Sequence, residues 1–179
     1  MACITKLANA IAYDCDSGAT GLVSALIINK ADIASFTVAA GGTVTGLTLA
    51  SGARAYKIDT VKRSLVLSTA LKVNDGAPNA FTHTATLTDM TPATSGIHFN
   101  IGSAMSNGSF VIISRPVGGT QAVVNGLYYG MAATAFDQNS HDNGSWTTIT
   151  LETPENVIGE DNLSMSSADY SALYEVAVG

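Results

Sequence analysis

The densest run of oxygen donors in the chain is Asp137-Gln138-Asn139-Ser140-His141-Asp142-Asn143-Gly144. Donors at alternate positions can wrap a hard cation such as calcium, but this spacing misses the EF-hand loop and has no terminal bidentate Glu. Asp and Asn are also what a long surface turn uses to bond its own backbone. The segment therefore reads as a loop. The histidines His83, His98 and His141 are far apart in sequence. His83 lies in the alternating run Phe81-Thr82-His83-Thr84-Ala85-Thr86-Leu87-Thr88 and is expected to face outward. His98 falls on an expected helix, where a structural role is favoured. Cys3 and Cys15 are too few for a disulfide framework or a metal knuckle. Reduced thiols are the expectation, with a Cys3–Cys15 pair as the alternative. No G-x-S-x-G elbow, G-x-x-x-x-G-K-[ST] loop, G-x-G-x-x-G fingerprint or H-E-x-x-H pair occurs. A Ser/His/Asp triad is set by geometry and not by order, yet nothing in the sequence draws such residues together. The expectation is no enzyme, no catalytic residue, no cofactor and no metal.

The elements that would position these groups are mostly strands. Short β-branched and aromatic runs alternate with turn residues, as in an all-β domain. They predict strands at Leu22–Asn29, Ser35–Ala39, Thr43–Leu49, Arg54–Thr60, Ser64–Val73, Phe81–Asp89, Ser109–Arg115, Gln121–Tyr129 and Trp146–Glu152. Gly41-Gly42, Asn107-Gly108, Gly118-Gly119 and Asn143-Gly144 mark turns that call for positive φ. Pro116 with Gly118-Gly119 makes Arg115 to Gln121 the clearest hairpin tip. Thr91-Pro92 reads as a helix start, followed by Ile97, Ile101, Ala104 and Met105 at helical spacing until Asn107-Gly108. Residues 1–20 form an N-terminal arm with room for a short helix. Residues 154–179 form a C-terminal arm, a turn of helix or an added strand. A single domain spanning 1–179 follows, β-rich (all-β or α+β), as a sandwich or barrel of about 8–10 strands with one flanking helix and a long hairpin.

Composition points to buried surface. Of 179 residues 46% are hydrophobic and 12% charged, where soluble domains average about 25% charged. This excludes the profile of intrinsic disorder, and a net charge of −6 argues against a generally basic nucleic-acid binder. Interface cores are depleted in Lys, Glu and Asp, so an assembly subunit is expected. Apolar runs stay short of a membrane span, and the start lacks the apolar stretch of a signal peptide. The charge also has a direction. Residues 1–115 hold all eight basic residues and six acids, for +2, whereas residues 116–179 hold eight acids and no base, for −8. Arg54, Lys57, Lys62, Arg63 and Lys72 fall in one expected hairpin. They either solvate a strand and blunt its edge or meet an acidic region of the next subunit.

Several segments carry a resemblance. Met1-Ala2-Cys3-Ile4-Thr5 resembles the start of small virion structural proteins of Bacteroidetes-type tailed phages. Ala53-Arg54-Ala55-Tyr56-Lys57-Ile58 is similar to their Ala-Tyr-Lys strand, and the helix leading to Phe110-Val111-Ile112-Ile113-Ser114 to their helix and strand. Asn125-Gly126-Leu127-Tyr128-Tyr129-Gly130, then Asp142-Asn143-Gly144-Ser145-Trp146 and Thr147 to Leu151, resembles their closing hairpin. The match covers most of residues 1–153; its specificity lies in the order of the segments. Tyr128 stands where an acid is common, and Arg115-Pro116 replaces an acidic turn.

The resemblance implies a virion protein made in the host cytoplasm, a tail-tube or tail-ring subunit that forms rings. Its partners would be copies of itself and neighbouring virion proteins, with genomic DNA passing unbound and no membrane. Asp137, Asp142, Glu152 and Glu155 are the candidate acidic lining of the lumen. Arg54, Lys57, Lys62, Arg63 and Lys72 are the candidate inter-subunit set. The alternative is a capsid-decoration, head-fibre or host-binding module, for which Tyr128, Tyr129 and Trp146 are the nearest thing to an aromatic patch.

Overall fold

The computed structural model describes residues 21–58, 60, 64–73, 75–76, 79–89, 96–138, 147–154 and 162–179. The chain runs β1 (Leu22–Asn29), a short 3-10 turn (Lys30–Asp32), β2 (Ile33–Ala39), β3 (Thr43–Leu49), β4 (Tyr56–Ile58), β5 (Leu65–Lys72) and β6 (Ala80–Asp89). It continues through α1 (Gly96–Asn107), β7 (Ser109–Pro116), β8 (Gln121–Asn125), β9 (Met131–Gln138), β10 (Thr147–Glu152), β11 (Leu163–Ser166) and α2 (Ser167–Glu175). The β-rich class expected from sequence is the class the chain adopts.

All eleven strands link into one sheet, ordered β2-β3-β11-β8-β7-β9-β10-β6-β5. It is mixed, because β11 runs parallel to β3. β1 pairs along the whole of β7, from Leu22 opposite Pro116 to Asn29 opposite Phe110, and carries β4 on its far side. The other edge of β7 is shared. Ile112–Ser114 pair with β8, and Ser109 and Phe110 pair with β9. From that point the sheet divides into two branches, and each covers one face of the β1–β7 pair.

The sequence explains this shared wall. β1 and β7 contain continuous apolar runs, Ala25-Leu26-Ile27-Ile28 and Phe110-Val111-Ile112-Ile113, all buried. Successive strand residues point to opposite faces, so an unbroken run needs cover on both sides. Leu26, Ile28, Val111 and Ile113 enter one core with Val44, Val124, Leu163 and Met165. Ala25, Ile27, Phe110 and Ile112 enter the other with Leu87, Met131, Ile149 and Leu151. Each fully buried aliphatic side chain contributes about 1.5–3 kcal/mol. The outer strands behave differently. In β10 Thr147, Ile149 and Leu151 are buried while Thr148, Thr150 and Glu152 are half-buried, the alternation of a one-sided strand.

Several expectations need correction. β9 was not foreseen, and β8 stops at Asn125 instead of reaching Tyr129. The C-terminal stretch holds both an added strand and a second helix. The expected hairpin from Arg54 to Lys72 does not form: β4 pairs with β1, and β5 with β6. Gly108 ends α1 without a positive φ. Space is the reason for glycine there, because a Cβ would lie 2.7 Å from the Ala104 carbonyl oxygen and run into the Phe110 ring.

Candidate functional site

His83 faces inward, opposite to expectation. Ala85 and Leu87 lie on the same side of β6 and are buried, so the alternation places His83 with them and leaves Thr82, Thr84, Thr86 and Thr88 outside. Its Nδ1 lies 2.9 Å from the Thr69 hydroxyl on β5, and its backbone N–H donates to the Thr153 hydroxyl at 3.0 Å. The histidine thus ties β5, β6 and the end of β10 together. His98 lies on α1, and its side chain is outside the described residues, as are His141, Cys3, Cys15 and Trp146. Of the loop 137–144 only Asp137 and Gln138 are described, both exposed at the end of β9. Among the described residues no three His, Cys, Asp or Glu side chains form a metal-binding group, and no helix is long and apolar enough to cross a membrane.

The basic set does not form one strip. Arg54 and Lys57 are exposed at and before β4, whereas Lys72 is half-buried at the end of β5, on the far branch. Lys62 and Arg63 lie outside the described residues. Asp137 and Glu152 do share a surface. Asp137 sits opposite Thr148 and Glu152 opposite Ala132, so both carboxylates belong to the outward side of β9–β10, about 13 Å apart along the ladder. Thr84, Thr86 and Thr88 of β6 continue that polar surface beside Thr148, Thr150 and Glu152. Asp142 and Glu155 lie outside the described residues. Tyr128 is half-buried and packs edge-on against Phe36, ring centroids 5.6 Å apart, whereas Tyr129 is exposed.

Two strand edges stand out. β5 and β2 terminate the main strand path, while the three-residue β4, paired with β1, ends a side branch. Thr88 N–H donates to the Ser64 carbonyl at 2.7 Å, which makes Ser64–Thr88 a hydrogen-bonded antiparallel pair. By alternation, Val66, Ser68 and Ala70 also bond β6, while Leu65, Leu67, Thr69 and Leu71 aim their backbone groups away from it. Val66 and Leu71 are 49% and 58% exposed, and Val73 just beyond is 69% exposed. Neither β5 nor β2 contains proline, and Lys72 is their one charged residue. Monomeric proteins ordinarily guard such edges with charge, proline or bulges. β2 does carry register shifts against β3, but β5 is regular along all eight residues.

A third feature lies at the rim of the first core. α2 is started by Ser166, whose side chain accepts from Asp169 N–H at 3.1 Å and donates to the Asp169 carboxylate at 2.7 Å. Ser167 Oγ donates to the Thr120 carbonyl at 2.5 Å. The helix is thereby laid beside β1 and β7. Tyr170 is buried, and its hydroxyl donates to Ser24 Oγ at 2.8 Å. Its ring stacks with Tyr174 at 5.8 Å, and the Lys57 ammonium sits 4.7 Å from the Tyr174 centroid. An open cleft of about 350 Å³ remains, lined by Val23, Ser24, Arg115, Ser171, Tyr174 and Glu175 together with Tyr170. The sequence signal for α2 was the Ser166-x-x-Asp169 spacing of a helix start.

Burial pushes the Tyr170 phenol above the ordinary 10.0, opposed by the Ser24 hydrogen bond and the nearby Arg115 charge. The folded chain therefore holds this proton after the unfolded chain begins to lose it. Its contribution is intact below pH 10 and is lost as pH rises through the raised folded value. Tyr170→Phe should cost about 1 kcal/mol at neutral pH by removing the hydrogen bond. It should also flatten the alkaline loss of stability, as read from urea midpoints between about pH 8 and about pH 11. Equal alkaline loss in both proteins would exclude Tyr170 as the cause. Neither a family model, nor a curated protein, nor a solved structure matches the chain.

Proposed function

We propose that the chain is a structural subunit of a tailed-phage virion, a tail-tube or tail-ring protomer that self-assembles through its sheet edges. The observation that carries the reading is that β2 and β5 end the main strand path, above all the regular and largely apolar β5, which among the described strands pairs with β6 alone. An edge with unused N–H and C=O groups is a template for another strand. β2 and β5 are different surfaces, so joining β2 of one copy to β5 of the next is a heterologous contact, which closes into a ring or propagates. Antiparallel overlap of the two would set Asp32, just before β2, near Lys72 at the end of β5. The ordered segment resemblance supplies the virion context, with copies and neighbouring virion proteins as partners and no catalytic role.

On this reading the Thr-rich outer surface bearing Asp137 and Glu152 faces the conduit. It offers DNA phosphates no counter-charge, so the genome passes without the brake that Lys or Arg contacts would apply. The test is the mass of the purified chain by light scattering over a concentration series, with negative-stain microscopy of the largest species. Discrete rings or filaments, each many multiples of 18.3 kDa, are expected. A monomer at every concentration would overturn the reading and favour the decoration or host-binding module.

A further inference from the structure

The cleft between α2 and the β1–β7 pair has two walls of different make. On the sheet side Ser24 lies directly opposite Arg115 in the β1–β7 register, so both side chains stand on one face. On the helix side Tyr170 and Tyr174, with Ser171 and Glu175 beside them, form two pairs four residues apart, which one face of a helix presents together. The Tyr170 hydroxyl donates to Ser24 Oγ at 2.8 Å and joins the two walls.

The walls carry opposite charges, Arg115 on the sheet and Glu175 on the helix. Among the described residues neither forms an ion pair, with the other or with any third group. Opposite charges that line one cleft of about 350 Å³ without meeting leave room for a molecule bearing the reverse pair. The place of Glu175 adds to this. It ends α2, whose last turn contains no basic residue, and the helix dipole already makes that end negative. Lys57 does not supply the missing cation: its ammonium sits over the Tyr174 ring at 4.7 Å, outside the cleft lining. On the other wall the Ser24 hydroxyl, having accepted from Tyr170, keeps its own proton to donate beside the Arg115 guanidinium. Val23 and the tyrosine rings give the lining its apolar surface.

We infer that this cleft binds a small zwitterion, an ammonium and a carboxylate joined by a short hydrocarbon chain. The carboxylate meets Arg115 and Ser24, the ammonium meets Glu175 at the last turn of α2, and the hydrocarbon lies against Val23 and Tyr174. Specificity comes from the walls together: a simple anion would face Glu175, and a simple cation would face Arg115. The bound molecule ties the end of α2 to the sheet. The inference does not depend on the assembly reading.

Saturation-transfer NMR on the purified full chain reads weak binding of small molecules whether the protein is a monomer or an assembly. The probes are the ω-aminoalkanoates from aminobutanoate to aminooctanoate, with hexanoate and hexylammonium as single-charge comparisons. One length in the series should bind in the millimolar range, about tenfold tighter than either comparison, because each exposed ion pair contributes at most a few-fold. Arg115→Gln should bring that aminoalkanoate down to the affinity of hexylammonium without weakening hexylammonium itself. Glu175→Gln should bring it down to the affinity of hexanoate without weakening hexanoate. Each variant thus keeps one comparison molecule, which separates a lost contact from a lost fold. If no length binds tighter than the single-charge molecules, or if both variants bind the series as the parent does, the inference is overturned.

Discussion

Gly126→Ala should bring the chain close to unfolding in water, and Gly130→Ala should do the same. The link between β8 and β9 is where the chain leaves one branch of the sheet and joins the other. It has five residues to turn in while both strands stay anchored on β7. Both glycines hold φ at +78°, and Gly130 N–H donates to the Gly126 carbonyl at 2.8 Å. An L side chain in that left-handed region costs about 1–2 kcal/mol. Space adds more. A Cβ on Gly126 would lie 2.6 Å from Met131 Cγ, 3.0 Å from the Phe110 carbonyl oxygen and 3.2 Å from the Met131 nitrogen. Two of these are backbone atoms of the β7–β9 junction and cannot swing aside. On Gly130 the added carbon would collide with Ser109 Oγ. Strain and overpacking together reach several kcal/mol, against a typical net stability of about 5–15 kcal/mol. Gly118→Ala separates the two effects: its φ is +73°, but a Cβ there meets nothing within 4 Å. It should lose only the strain, about 1 kcal/mol. Urea midpoints of the three variants decide the matter. If Gly126→Ala unfolds with Gly118→Ala, the junction is not the tight pivot described.

Most strands were legible because their signals are local. β1 and β3 have the bounds that their apolar runs and flanking turn residues imply, and the tip at Gly118 follows from Pro116 and its glycines. What escaped was set by partners far along the chain. β9 is rich in alanine and largely exposed, Met131-Ala132-Ala133-Thr134-Ala135-Phe136, and has little β propensity of its own. It is a strand because β10 pairs with it along its length. β11, foreseen only as one of three alternatives for residues 154–179, has four residues and is held between β8 and β3. His83 was misjudged because alternation gives the period of a strand but not which set of residues is buried. With threonine on the other set, the burial of Ala85 and Leu87 decided it. The basic residues looked like one hairpin because they are near in sequence, and the pairing of β4 with β1 separates them. The cleft beside α2 joins Ser24, Arg115 and Tyr170 from three elements, a meeting that no local pattern contains.

Blocking the β5 edge should abolish assembly and leave the monomer folded. Leu71 turns its N–H and C=O away from β6 by the alternation fixed at Ser64–Thr88, and its side chain is largely exposed. Leu71→Pro therefore removes a donor that the β5–β6 pair does not use, and its ring obstructs an incoming strand. Val66→Lys adds a charge near the other end of the same edge, where burying an unpaired ammonium against a second strand is costly. The double variant should stay within about 1 kcal/mol of the parent in stability, while its mass by light scattering falls to that of one chain. Ala70→Pro makes the opposite comparison. Ala70 bonds β6 by the same alternation, so proline there breaks the hairpin and should lower the urea midpoint through the fold itself. One residue apart, the two prolines separate an edge that joins copies from an edge that merely ends a sheet. If the double variant forms the same rings or filaments as the parent, β5 is not the joint and the contact must be sought on β2 or on the surface around α2.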